Sequence, residues 1–102
     1  LYWIECGKTG FQVGSGETII GRDPRCAIWI DDASISRKHA RILVTSKGVT
    51  IEDLGSKNGT AVNGTAVSGA TKLKDGDEVK FGQVRLQLFV VTPRDAASTV
   101  TL

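Results

Sequence analysis

An all-β sandwich is the fold class that this sequence predicts, and three observations predict it. Apolar segments are short and alternate with polar residues at a two-residue period, so each buries one face. Gly-containing turns separate them, and twelve glycines in 102 residues fit that number of turns. No stretch before Pro93 carries a long 3.6-residue period, so no helix competes with the strands.

Leu1-Tyr2-Trp3-Ile4 opens as a strand of aromatic and β-branched residues. Gly7-Lys8-Thr9-Gly10 reads as a turn and Phe11-Gln12-Val13 as the returning strand. Gly14-Ser15-Gly16 breaks the chain again, Glu17 to Ile20 form the third strand, and Gly21 ends it. Asp23-Pro24 marks a turn, because proline fixes its own φ and restricts the residue before it. Ala27 to Ile30 form a short strand. In the polar loop that follows, Asp31, Asp32, Ser34 and Ser36 can bond nearby backbone N–H groups.

From Ala40 to Thr45 the alternation places Ala40, Ile42 and Val44 on one face, with Arg41 and Thr45 on the other. Ser46-Lys47-Gly48 turns the chain and Val49 to Leu54 return it. The clearest local signal is Asn63-Gly64 between Thr60-Ala61-Val62 and Thr65-Ala66-Val67, the pattern of a two-residue type I′ hairpin. Asp75-Gly76-Asp77 and Gly82-Gln83 are turns around Glu78 to Phe81. Val84, Leu86 and Leu88 alternate with Arg85 and Gln87. Phe89, Val90 and Val91 break that alternation, as expected of a last strand covered on both sides. Trp3 and Trp29 are read as core or edge packing, not as ligand platforms. From Pro93 onward there is little to bury, so the domain is expected over residues 1–91 with a mobile tail or linker over 92–102.

The length suits one domain with its own core, and 40% hydrophobic residues exclude a disordered chain. No apolar run approaches the roughly 20 residues that cross a bilayer, and no secretory signal is visible. The chain begins at Leu1, as expected of an excised domain or a processed chain. The expected compartment is the cytoplasm, or the nucleus in a eukaryotic host. Cys6 and Cys26 lack metal-ligand spacing and the density of a disulfide scaffold. Two reduced, partly buried thiols are expected, with a Cys6–Cys26 bridge left open. No metal-ligand cluster surrounds His39, the one histidine, and neither a metal nor a cofactor is expected.

The net charge of +2 is too small for a nucleic-acid binder. Its distribution is more telling: Arg22, Arg25, Arg37, Lys38 and Arg41 place five of thirteen basic residues within twenty positions. Asp23, Asp31 and Asp32 partly offset them, which fits a local anion site better than a stripe tracking a duplex.

Three polar loops follow three apolar segments: Gly21-Arg22, Ser36-Arg37-Lys38-His39 and Ser56-Lys57-Asn58-Gly59. In this order, with Asp53-Leu54-Gly55 before the last and Val62-Asn63-Gly64 after it, the chain resembles the forkhead-associated (FHA) family of phosphothreonine-binding domains. The resemblance covers about residues 1–91. It implies a twisted sandwich of about eleven strands in two sheets, with the binding loops at one end.

The residue types support that function independently. A phosphothreonine carries about −1.5 to −2 charges and three acceptor oxygens, and it needs donors that are not anionic. Arg22 offers a planar fork of N–H groups, Ser36 a hydroxyl, and Arg37 a backbone N–H and its guanidinium. Asn58 presents both donor and acceptor to an extended peptide backbone, and by resemblance it holds the peptide while Lys57 lines the rim. The resemblance makes His39 a brace for the serine loop and gives Gly21 a supporting part. Gly59 is expected to adopt an angle that a Cβ hinders. The bland readings are a surface arginine at 22, a turn serine at 36, and a simple hairpin turn at Asn58-Gly59.

The implied partners are a phosphothreonine-containing protein and a Ser/Thr kinase of the same pathway, with no membrane and no direct nucleic acid. Three rival readings remain. Ser36 and His39 could form a nucleophile and base, but catalysis would also need a positioned acid and an oxyanion hole, and nothing resembling a nucleophile elbow appears. The basic cluster could bind nucleic acid, but it lacks interleaved aromatics. The third rival is a degenerate FHA fold that makes contacts without phosphate. Finally, Thr92 and Thr99, each followed three residues later by Asp95 or Leu102, make tail-mediated self-association conceivable.

Overall fold

The computed structural model describes residues 2–90. The expected boundary after residue 91, and the tail with its Thr92 and Thr99, lie outside them. Eleven strands form: β1 Tyr2–Cys6, β2 Thr9–Val13, β3 Gly16–Gly21, β4 Ile28–Trp29, β5 Ala40–Thr45 and β6 Gly48–Asp53, then β7 Thr60–Val62, β8 Thr65–Ala66, β9 Thr71–Lys72, β10 Glu78–Phe81 and β11 Val84–Val90. They build a six-stranded sheet in the order β2-β1-β11-β10-β7-β8 and a five-stranded sheet in the order β4-β3-β5-β6-β9. The predicted sandwich is therefore what the chain makes. No helix among the described residues is long and apolar enough to cross a membrane.

The two-residue alternation explains the packing. Ile4, Val79, Phe81, Leu86 and Leu88 point inward from the first sheet, and Ile20, Ile28, Ala40, Ile42, Val49 and Ile51 from the second. The register keeps these rows in step: Ile20 faces Ala40, and Ile42 faces Ile51. Burying each such side chain stabilises the fold by roughly 1.5–3 kcal/mol.

The expected first hairpin forms, but its turn is shorter than Gly7–Gly10, because Thr9 already pairs with Cys6. β9 had no signal in the sequence, since two residues cannot show a period. β3 and β4 pair in parallel, Ile20 beside Ile28. β11 is central in its sheet, but Phe89 and Val90 are only half-buried, so its last residues are not covered on both faces. Trp3 is exposed on β1 and lies over Gly10, where an added Cβ would come within 2.1 Å of its ring. Trp29 is 48% exposed on the edge strand β4, so both tryptophans pack on faces or edges and neither in the core. Cys6 and Cys26 are free and half-buried.

Three connections position the site. Residues 22–27 join β3 to β4, residues 30–39 join β4 to β5, and residues 54–59 cross from the second sheet to the first. The second of these is pinned by Ile35, which is 1% exposed and sits in the core like a strand residue.

Candidate functional site

The three connections are hydrogen-bonded to one another, so the motif residues meet at one end of the sandwich. The Arg22 N–H donates to the Ser36 carbonyl at 3.0 Å. The Lys57 N–H donates to Ser36 Oγ at 3.0 Å, and Asn58 Nδ2 donates to the Ser34 carbonyl at 2.9 Å. Ser34 Oγ in turn accepts from the Gln83 N–H, which ties in the turn between β10 and β11.

Arg22 is exposed but held. Its Nε donates to the Ile35 carbonyl at 3.0 Å, which fixes the guanidinium, while its two terminal nitrogens make no ion pair among the described residues. Its own carbonyl accepts from Trp29 Nε1 at 3.0 Å. Arg22 and Arg37 line a shared hollow with Asp23 and Pro24. Both oxygens of Asp23 are bonded by Arg25, and Asp23 forms no ion pair with Arg22 or Arg37. Those bonds, with the Arg25 N–H, hold the Asp23 carboxyl well below the usual carboxylate range.

The basic cluster seen in the sequence therefore divides. Arg25 is spent on Asp23, and Arg41 lies between Glu17 and Glu52 on the outer face of the second sheet. Lys38 borders a different groove, with Glu17, Ile19 and Cys26. Burial, with Asp23 nearby, pushes the Cys26 thiol up, which makes it a poor thiolate. Arg22, Arg37 and Lys57 remain at the site without an ion pair among the described residues.

Ser36 is half-buried. Its oxygen already accepts the Lys57 N–H, so the hydroxyl proton is free to be donated outward. The Arg37 N–H, one residue on, has no acceptor among the described residues. Two neutral donors thus stand beside an arginine fork.

His39 is fully buried and touches no open surface. Its Nδ1 accepts the Ser36 N–H at 3.0 Å, which places the ring proton on Nε2; Nε2 donates to the Gly59 carbonyl at 2.8 Å. The ring packs edge-on against Phe81. His39 therefore joins the serine loop to the asparagine loop, the bracing part the resemblance implies.

The glycines support the site for different reasons. A Cβ on Gly21 would lie 1.9 Å from the Arg37 carbonyl, so close approach of the serine loop excludes any side chain there. Gly59 has open space around it but a φ of +78°, which L side chains avoid. Asn58-Gly59 is not a hairpin turn, because the strands on either side belong to different sheets.

Sequence reasoning missed the scaffold of the third loop. Asp53 accepts from Ser56 Oγ and Thr60 Oγ1 with one oxygen, and from the Gly55 and Ser56 N–H groups with the other. Burial pushes the Asp53 carboxyl up, but these four donors together outweigh it and hold the group below its ordinary value. Asp32 does the same for the second loop, accepting from the Ser34 hydroxyl and N–H, which lower its pKa. An Asp followed by Ser two or three residues later is a readable local turn signal. The Trp29 contact had no such signal.

Comparisons with known proteins agree with this geometry. The FHA domain family model matches residues 18–82, which contain all three loops. The glycogen accumulation regulator GarA of Mycobacterium tuberculosis is 38% identical over 84 residues, covering 82% of this chain and 51% of the relative. The chain thus spans about half the length of this curated relative. The FHA domain of the CT664 protein from Chlamydia trachomatis superposes with a TM-score of 0.84 at 33% identity, covering 89% of this chain and 98% of that one. A structure from a study of phosphothreonine-dependent FHA domain interactions superposes equally well, with a TM-score of 0.84 at 26% identity, covering 89% and 97%.

Proposed function

The chain belongs to the FHA domain family, and from that premise we propose that it binds phosphothreonine peptides at the loop end of the sandwich. The observation that carries this reading is the convergence of Arg22, Ser36 and Asn58 through direct hydrogen bonds between their loops. The phosphate sits against the Arg22 guanidinium, the Ser36 hydroxyl and the Arg37 N–H. Lys57 adds charge at the rim. Asn58 holds the peptide main chain beside the phosphorylated residue. Gly21, His39 and Gly59 keep the three loops in place without touching the ligand.

Each charge-assisted hydrogen bond contributes roughly 1.5–3 kcal/mol net. Two or three of them supply more than half of the roughly 8 kcal/mol of a micromolar complex. The unphosphorylated peptide, which offers none of them, is then left with little affinity.

The site binds and does not catalyse. Ser36 and His39 are adjacent but not a nucleophile and base: the imidazole accepts the Ser36 N–H, not its hydroxyl, and its other nitrogen is committed to Gly59. The module, taken as residues 1–91, recruits a protein marked by a Ser/Thr kinase. It works in a reducing compartment such as the cytoplasm, where Cys6 and Cys26 stay free. It uses no cofactor and contacts neither membrane nor nucleic acid directly.

The test is calorimetric titration with threonine-phosphorylated peptides and their unphosphorylated counterparts. Saturable binding of the phosphorylated form only is expected. Arg22→Ala should weaken it about 100-fold, and Ser36→Ala about 10-fold or more. No saturable response, or one indifferent to Arg22→Ala, overturns the reading.

A further inference from the structure

The hollow assigned to the phosphate carries an anion of its own. Asp23 lines it together with Arg22, Pro24 and Arg37. A carboxylate beside a phosphate repels it. Asp23 also lines the neighbouring groove of about 430 Å³, and Arg25 lines that groove and not the hollow. The carboxylate thus borders both spaces, and Arg25 meets it from the groove.

Local structure gives a reason for an acid at this position. Asp23 Oδ1 accepts the Arg25 N–H at 3.0 Å, which shapes the turn after β3. The Asp23 N–H donates to the Arg37 carbonyl at 3.2 Å, which ties that turn to the serine loop. The Asp23 side chain is 14% exposed, so its charge stays at the site. Arg25 meets that charge with two prongs: Nε donates to Oδ1 at 3.2 Å and a terminal nitrogen donates to Oδ2 at 2.8 Å. Arg25 does most to hold the Asp23 carboxyl well below its ordinary range, and the charge of Arg37 adds to this. The carboxylate and Arg37 therefore act on each other, although they form no ion pair.

We infer that Arg25 is a positioning residue for the phosphate site: it holds and offsets the Asp23 carboxylate, so that Arg22 and Arg37 meet the phosphate with their charge undiminished. The inference rests on the phosphopeptide reading. Arg25 does not touch the ligand and acts only through Asp23. The acid is kept for the turn, and its charge is the liability that Arg25 removes. Without Arg25 the carboxylate is left facing two arginines and an incoming dianion. It then weakens the site both by drawing on the arginines and by repelling the phosphate.

The experiment is a double-mutant cycle, read by titration with a phosphothreonine peptide whose flanking residues are all alanine. Arg25→Ala keeps the backbone bond to Asp23, so the turn is retained and unfolding stability should change little. Its affinity for the phosphopeptide should nevertheless fall about fivefold, and the loss should shrink with added salt. Arg25→Lys, which keeps the charge without the fork, should recover most of it. Asp23→Asn should bind about twofold to threefold more tightly than the wild type. In the Asp23→Asn background, adding Arg25→Ala should change affinity by less than about twofold, because the charge it offsets is gone. Intact phosphopeptide binding that is indifferent to Arg25→Ala overturns this inference and leaves the phosphate site standing. A fivefold loss that persists in the Asp23→Asn background overturns it as well, because Arg25 then acts on the phosphate with its own charge. No binding of any phosphopeptide removes both readings together.

Discussion

Two Asn-Gly pairs lie five residues apart, and the molecule uses them in opposite ways. Asn63-Gly64 turns a hairpin within one sheet; both residues have positive φ, +50° and +85°. Both ends of the Asn63 side-chain amide are engaged within the fold, the nitrogen donating to Asp77 and the oxygen accepting from the Glu78 N–H. Asn58-Gly59 instead lies on the crossing between the two sheets. Only its glycine has positive φ, and the asparagine is exposed with its Nδ2 on the Ser34 carbonyl. The same dipeptide is thus inward-looking where it closes a turn and exposed where it lies on the crossing between the sheets. What separates them is the surroundings: a buried Asp77 beside one, and two other loops beside the other.

His39 sets the largest expected effect, because it ties the Asn58 loop to the serine loop and lies in the core. Replacing it with alanine empties a fully buried position and leaves the Ser36 N–H and the Gly59 carbonyl unpaired. Unfolding stability should fall by about 3 kcal/mol or more, and phosphopeptide affinity should fall with it. Denaturant unfolding and titration on one preparation check both. A variant that lost affinity at unchanged stability would make His39 a ligand contact instead of a brace.

The crossed pair Asn63→Ala and Asn58→Ala tests the comparison itself. Asn63→Ala should cost about 2 kcal/mol of stability, from lost hydrogen bonds to Asp77 and Glu78 and from alanine at positive φ. Its phosphopeptide dissociation constant should stay within about twofold of wild type. Asn58→Ala should do the reverse, weakening the peptide about tenfold, roughly 1.4 kcal/mol, with stability nearly unchanged. If both variants lost stability alone, Asn58 would be a turn residue like its neighbour and the ligand would be held elsewhere.

The contrast also shows what is legible in a sequence of this kind. The sandwich and most strands could be read, because alternation and glycine-bearing turns are local. The Asn63-Gly64 hairpin could be read for the same reason. The three loops were found as motifs, and their convergence followed from the family resemblance. The charge map could not be read. Arg41 pairs with Glu17 and Glu52, 24 and 11 residues away, and no local pattern foretells those partners. Gly21 is expected from the resemblance to play a supporting part, yet the reason that no side chain fits there, an added Cβ 1.9 Å from the Arg37 carbonyl, exists only once the loops have packed. The Trp29 bond to the Arg22 carbonyl depends on the parallel pairing of β3 and β4, which nothing in the alternation marks. The four donors around Asp53 lie within seven residues of it, so that part of the site was within reach of a local reading.

Asp53 provides the smallest expected effect, and one that neutral conditions hide. Its carboxylate organises the crossing loop, and its pKa is held below the ordinary value by the donors from Ser56, Thr60 and Gly55, against the opposing push of burial. A carboxyl depressed on folding adds stability above the unfolded-chain pKa of about 3.9, and that stability is lost as pH falls through the lower folded value. From neutral pH down to roughly pH 5 this group contributes no slope. Below about pH 4 the wild type should lose stability relative to Asp53→Asn, whose side chain does not titrate. Stability is the better readout than affinity here, because the phosphate's own ionisation near pH 6 weakens binding first. A gap between wild type and Asp53→Asn that stayed constant through the acid range would mean that the loop is held by the shape of the side chain at residue 53 and not by its charge.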